Sequence, residues 1–210
     1  MTSSTVRTYG GLAVEDRRAH RRRQFLAAAL VVFGDDGYAN SSIATICRTA
    51  GLARAQLYEH FDNREDLLLA VYDMIQDDAR TALVTALSET DATGIAARAR
   101  IAVTAYAESL GQDPRRAAIS FVEIIGVSAR VEQHRVDQRR IWLQFAEAEL
   151  RYTFGEDYTP PGGYASAAMG FVGALMALVH NWSAAPSRAA LDDIIETLTC
   201  FLTGLAPAPS

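Results

Sequence analysis

The sequence predicts an all-α fold of about nine helices, divided between a short N-terminal helix-turn-helix unit and a larger helical body. Three observations carry that expectation. Only 6 of 210 residues are Pro, and Ala and Leu recur throughout, which favours helix. Apolar residues repeat at three- and four-residue spacing rather than alternating. Two short helical patterns flank a tight turn at Ala50-Gly51-Leu52.

Along the chain, residues 1–14 lack periodicity and read as a disordered arm. A first helix is expected over about Asp16–Asp35, where Phe25, Ala29 and Phe33 form one apolar stripe closed by Gly34 to Gly37. Ser41 and Ser42 can cap a second helix to about Ala50, burying Ile43, Ile46 and Cys47. Gly51 makes the turn, and a third helix follows over about Arg54–Phe61. Asp62-Asn63 recaps the chain, with Glu65 and Asp66 at the positive end of a long fourth helix, Arg64–Leu87. Five more helices are expected near 93–111, 114–127, 129–154, 163–184 and 188–205, with Asp113-Pro114 a start signal and Pro160–Gly163 and Ala185–Ser187 the clearest breaks. The domains are thus an arm (1–14), a helix-turn-helix domain (15–64) and a helical body (65–206).

The net charge of −5 is uneven. Residues 1–64 carry nine Arg against six acids, while residues 65–210 carry eleven Arg against nineteen. A mildly basic head on an acidic body fits one end that faces a polyanion. The only cysteines, Cys47 and Cys200, have no partner spacing for a disulfide framework or zinc site. They read as small apolar residues at helix interfaces in a reducing, cytoplasmic setting. No signal-peptide pattern opens the chain. Residues 158–187 lack Asp, Glu, Lys and Arg, so one span approaches membrane length. Its Ala and Gly content and its His180-Asn181-Trp182-Ser183 continuation favour a buried helix at a subunit interface instead, with no membrane partner.

On the third helix, Leu57 and Phe61 mark the buried side. Ala55, Gln56, Tyr58 and Glu59 fall on the opposite arc, flanked by Arg54. Arg can bridge guanine O6 and N7, Gln can read adenine, and Glu can accept from cytosine N4. His60 and Arg64, at the margin, suit phosphate, as do Ser41 and Ser42 at a helix N-terminus. Upstream, Arg17, Arg18, His20, Arg21, Arg22 and Arg23 form a basic cluster able to follow the backbone or enter a minor groove, with Arg21 and Arg22 as candidates. A solvated helix face would carry the same residue types.

The segment from Phe25 to Tyr72 closely resembles the DNA-binding domain of the TetR family of transcriptional regulators. The resemblance rests on Phe33, Gly37, Tyr38, Ser41, Ser42, Ile43, Ile46, Ala50, Gly51, Leu52, Leu57, Tyr58, His60, Phe61, Arg64, Glu65, Leu67, Leu68 and Tyr72. It covers about a quarter of the chain; the remainder is similar only in length, helix count and helix order. It implies a homodimeric repressor that binds double-stranded operator DNA and is released by a small molecule bound in its C-terminal domain. It also implies DNA contacts from Arg54, Ala55, Gln56, Tyr58 and His60, with Ser41 and Arg64 on phosphate. Ala53, Ala55 and Gln56 depart from the residues common in the family, which leaves operator sequence open.

In the body, Ser166, Gly170 and Ala174 recur every four residues, with Gly173 and Ala177 beside them, a stripe that lets helices approach closely. With Ile194, Leu198 and Leu202 of the last helix, they are the expected dimer interface. Two recognition helices about one DNA turn apart, or somewhat more, would read a pseudo-palindrome. Tyr106, Phe121, His134, Trp142, Phe145, Met176 and Trp182 are candidates for an effector site, though the same residues describe a plain core. No cofactor or metal is implied. A helical enzyme finds no support in HExxH, G-x-S-x-G, GxGxxG or phosphate-loop patterns, and Glu147 and Glu149 point away from each other. A protein-binding helical adaptor remains an alternative, favoured if the chain shows no salt-dependent retention on DNA.

Overall fold

The computed structural model describes residues 9–155, 157–185 and 190–206, with side chains from Glu15 onward. Among them are nine α-helices and no strand. They are α1 (Tyr9–Asp35), α2 (Ile43–Ala50), α3 (Arg54–Tyr58), α4 (Arg64–Ser88), α5 (Ile95–Gly111), α6 (Pro114–Ala118), α7 (Ala129–Phe154), α8 (Gly163–Ala184) and α9 (Leu191–Thr203). α6 runs into a π-helical turn, Ile119–Glu123, within a segment expected to be one α-helix. The chain divides into two compact units, Met1–Val71 and Tyr72–Ser210, so the division falls inside α4 and not at its start.

α1 begins at Tyr9, seven residues before the expected start. Of the expected arm, residues 1–8 lie outside the described residues, whereas residues 9–14 have helical backbone. The expected break at Ser187 and helix start at Arg188 also lie outside the described residues.

In the first unit, Phe25, Ala29, Val32 and Phe33 of α1 are buried together with Ile46, Leu57, Leu67, Leu68 and Val71. The Ser42 hydroxyl accepts from the Thr45 amide at 3.1 Å, capping α2 at its start. At its end Gly51 has φ +67. The Gly51 and Leu52 amides donate to the Arg48 and Cys47 carbonyls, a paired closure that turns the chain sharply. A Cβ at Gly51 would meet nothing within 4 Å, so the left-handed backbone alone accounts for glycine there.

In the second unit, α4 buries Tyr72, Ile75, Ala79, Leu83 and Leu87 at three- and four-residue spacing. α5 packs on α9, α7 on α8, and α6 on both α5 and α8. By length and composition α8 could cross a bilayer, but Tyr164, Ala167, Ala168, Phe171, Val172, Leu175 and Val179 are buried against its own unit. Two features of α9 bear on the sequence reading. Ile194, Leu198 and Leu202, assigned to a subunit interface, are only 8, 0 and 3% exposed within the single chain. An apolar stripe tells that a face is covered, not which neighbour covers it, and here α5 and α8 of the same chain both pack on α9. Cys200, expected at a helix interface, is exposed, while Cys47 is buried.

Candidate functional site

α3 is short, ending at Tyr58; Glu59 keeps right-handed helical backbone angles, and the His60 and Phe61 amides both donate to the Leu57 carbonyl. Leu57 is fully buried and Phe61 nearly so, which turns the other side outward. There Tyr58 is 43% exposed, and Arg54, Ala55 and Glu59 are exposed. The Arg54 guanidinium donates to the Tyr58 hydroxyl at 2.9 Å and lies over its ring at 5.5 Å. That hydrogen bond raises the Arg54 pKa. The two side chains form one cationic, aromatic unit one turn apart on the helix.

Four expected contact residues have structural partners. Gln56 folds back so that its Oε1 accepts from the Ala53 amide at 2.9 Å, closing the N-terminus of α3. Ala53 has no side-chain oxygen to return the bond, so Gln56 supplies the cap alone. Ser41 is 6% exposed, and its hydroxyl donates to the Tyr38 carbonyl at 2.7 Å. Arg64 is half-buried; it donates to the Ser41 carbonyl and stacks over Tyr38 at 4.2 Å. Ser41 and Arg64 thus pin the α1–α2 connection to the start of α4. Ser42 is exposed but spends its hydroxyl on the α2 cap.

His60 is half-buried between Phe25 and Phe61, with ring centroids at 6.3 and 6.1 Å. Burial, then the charge of Arg18, lowers its pKa below the usual histidine value. Its Nε2 is buried without a partner among the described residues, as is Nε of Arg21. Arg18 donates to the Glu59 carbonyl at 3.2 Å, and Arg22 lies over Phe61 at 5.4 Å. Part of the basic cluster therefore closes the C-terminal end of α3, where a cation meets unpaired carbonyls favourably.

Five of the seven effector-site candidates of the body line one of two cavities, both inside the second unit. The first is a narrow cavity of about 60 Å³ between α4, α5, α7, α8 and α9. Trp142 and Phe145 line it, with Leu83, Leu87, Ala102, Phe171 and Leu175. Its lining runs along α7 from Trp142 to Thr153, about 16 Å at helical rise. Arg98 and Glu149, missed by sequence reasoning, stand in this otherwise apolar wall and pair at 2.7 Å. An Arg between Ile95 and Ala99 on an apolar face was the available signal.

The second cavity is a cleft holding Tyr106, Phe121 and Met176, with Gly173 and Ala177 of the small-residue stripe on its lining. His134 and Trp182 line neither. His134 instead meets Asp73 Oδ1 at 2.6 Å, and a segment's aromatic content could not foretell that partner, 61 residues away. Burial pushes the Tyr72 hydroxyl up to about 12 and that of Tyr106 higher still, so both are neutral hydrogen-bonding groups at ordinary pH. Between the cavities lies a buried polar chain. Trp142 Nε1 donates to Gln76 Oε1 at 2.8 Å, and Gln76 Nε2 donates to Ser120 at 3.3 Å.

A three-helix unit with a glycine-turned pair and an outward Arg-Tyr unit on the second short helix has the architecture of a helix-turn-helix protein. Residues 25–71, the helix-turn-helix segment, match the bacterial regulatory proteins, tetR family. Over 96 residues the chain is 35% identical to the HTH-type transcriptional activator FasR of Mycolicibacterium smegmatis, a match spanning 46% of this chain and 43% of that one. The chain thus spans less than half the length of that relative. The fatty acid degradation regulator FadR of Bacillus halodurans has the same fold, with TM-score 0.76 at 20% identity over 88% of this chain and 95% of that one. FadR of Bacillus subtilis, solved in complex with stearoyl-CoA, superposes with TM-score 0.74 at 17% identity over 86% and 96%.

Proposed function

We propose that this chain is a homodimeric, non-enzymatic repressor that binds a pseudo-palindromic operator in the cytoplasm and is released by a small, largely apolar effector. The observation that carries the reading is the exposed Arg54–Tyr58 unit on a helix whose opposite side, Leu57, is fully buried. Such a face, with Ala55 and Glu59 beside it, can enter a major groove and meet base edges. Ser42, His60, Arg21 and Arg22 surround it as candidates for the phosphate backbone, which supplies affinity without sequence information. Gln56, Ser41 and Arg64 support this face from behind.

The apolar chamber supports an effector with a hydrocarbon part, and the stearoyl-CoA of the Bacillus subtilis FadR complex makes an acyl chain the first candidate. α4 begins in the first unit at Arg64 and contributes Gln76, Leu83 and Leu87 to the two cavities. An effector that prefers one setting of α4 would shift DNA affinity by its differential affinity for the two states. Ser166, Met169 and Gly170 of α8 and Phe201 of α9 are exposed, and we assign the dimer contact to this face. It replaces the Ile194, Leu198 and Leu202 side. FasR is named an activator, and the sign of regulation follows from operator position, which a fold does not carry.

Selection of bound fragments from random duplex DNA tests the reading. The expected product is an inverted repeat with half-sites spaced about one helical turn or somewhat more. Enrichment of a single unrepeated motif, or none at all, would contradict it.

A further inference from the structure

α3 has only five residues, so the direction of its outward face depends on what holds its two ends. Gln56 holds the first end from within the helix. The second end is held by α1. Arg18 donates to the Glu59 carbonyl at 3.2 Å, and Arg22 lies over the Phe61 ring. His60 stands at the same junction, half-buried, with the Phe25 ring of α1 at 6.3 Å and the Phe61 ring at 6.1 Å. Its imidazole is thus a spacer between α1 and the end of α3, two residues after the exposed Tyr58.

The junction suits an uncharged ring. His60 Nε2 is buried and has no partner among the described residues, and neither has Nε of Arg21. The charged groups that act on the ring are Arg18, Arg21 and Arg22 of α1 and, from the end of α3, Glu59, which is exposed to water. A protonated ring would add a fourth positive charge to three guanidinium groups, opposed by one screened carboxylate. Burial, then Arg18, lowers the His60 pKa; Glu59 opposes the fall, and Arg21 and Arg22 add to it. The neutral ring's contribution to folding is therefore complete above the ordinary histidine value, about 6.5, and is lost as pH falls through the lower folded value.

We propose that neutral His60 is a positioning residue: it holds the end of α3 against α1, and its protonation releases the outward face, so that operator binding weakens on acidification. The inference rests on the DNA-binding reading above and adds a pH response to it. A cationic contact of His60 with phosphate would have the opposite sign, because added positive charge tightens binding to DNA. Charge gained by His20, exposed in the basic cluster, acts in that opposite direction, so the two histidines push affinity apart.

Operator affinity of the full chain, measured by fluorescence anisotropy at fixed salt from about pH 7.5 to about pH 5, tests this beside His60→Phe and His60→Gln. The intact chain is expected to lose about threefold or more in affinity over that range, the response of a head that binds only with the ring neutral. Neither variant takes up the proton, and each should hold its affinity or gain. Constant or rising affinity in the intact chain would overturn the proposal, as would a fall that persists in either folded variant. NMR titration of the His60 ring decides the matter without a substitution. Its midpoint should move lower still on adding the operator, by the reciprocity of linked equilibria, whereas a midpoint that rises marks a cationic phosphate contact and overturns the proposal. A chain that selects no duplex at any pH removes the regulator reading alone. Thermal melting then decides for His60: acidification should lower the melting temperature of the intact chain more than that of His60→Phe, and equal falls would overturn the positioning role.

Discussion

Alanine at both Arg54 and Tyr58 is expected to abolish specific operator binding while the chain stays folded. Each good base contact contributes roughly 1–3 kcal/mol of discrimination. Because Arg54 and Tyr58 bond each other at 2.9 Å, their losses are coupled and will not simply add. A fall in specific affinity of about 100-fold is therefore the modest estimate. Stability should barely change, since both side chains are exposed and Ala has the higher helix propensity. Fluorescence anisotropy on the selected operator gives the first quantity and circular-dichroism melting the second. Undiminished specific binding by a folded double variant would show that another surface reads the DNA.

Trp142→Ala is expected to be the most damaging single change in the body. The side chain is 3% exposed, meets Tyr106 edge-on and lies beneath Arg80 at 5.8 Å. Truncating a buried Trp typically costs about 3–5 kcal/mol, and the loss here includes the donor that satisfies Gln76 Oε1. Trp142→Phe keeps a ring but no N–H, so it should cost about 1–3 kcal/mol. Urea unfolding of the second unit resolves the series, with the midpoint falling in the order wild type, Phe, Ala. A midpoint unmoved by Trp142→Ala would contradict the packing described for this residue.

The parts of the fold that were legible in sequence are those fixed by neighbours along the chain. Ser42 as a cap, Gly51 as a left-handed turn and Leu57 with Phe61 as an inward pair each follow from local chemistry. Helix order was legible for the same reason. What was illegible depends on distant partners. Arg64 and Ser41, 23 positions apart, bind each other, and neither local segment marks that brace. Gln76 and Trp142 are 66 apart, so nothing in the Trp142 segment marks it as a wall between two cavities. The apolar stripe of α9 was visible, but its periodicity is the same whether α5 or a second chain covers it. Gln56 shows a subtler limit: a residue type suited to adenine is equally suited to capping when Ala53 supplies no oxygen.

The second cavity illustrates the same division. Arg135 and Arg139 stand four apart on α7, a spacing that puts them on one face, and this much was readable. That the face borders a cavity whose other walls are Ser120, Phe121 and His180 comes only from the packing of α6 on α8 and from the π turn.

Native mass spectrometry of the chain with its selected duplex tests the central claim, that the outward side of α3 reads DNA in pairs. The expected species is two chains per duplex, lost together when Arg54 and Tyr58 are both replaced. A complex of one chain per duplex, or a two-chain complex indifferent to those replacements, would contradict it.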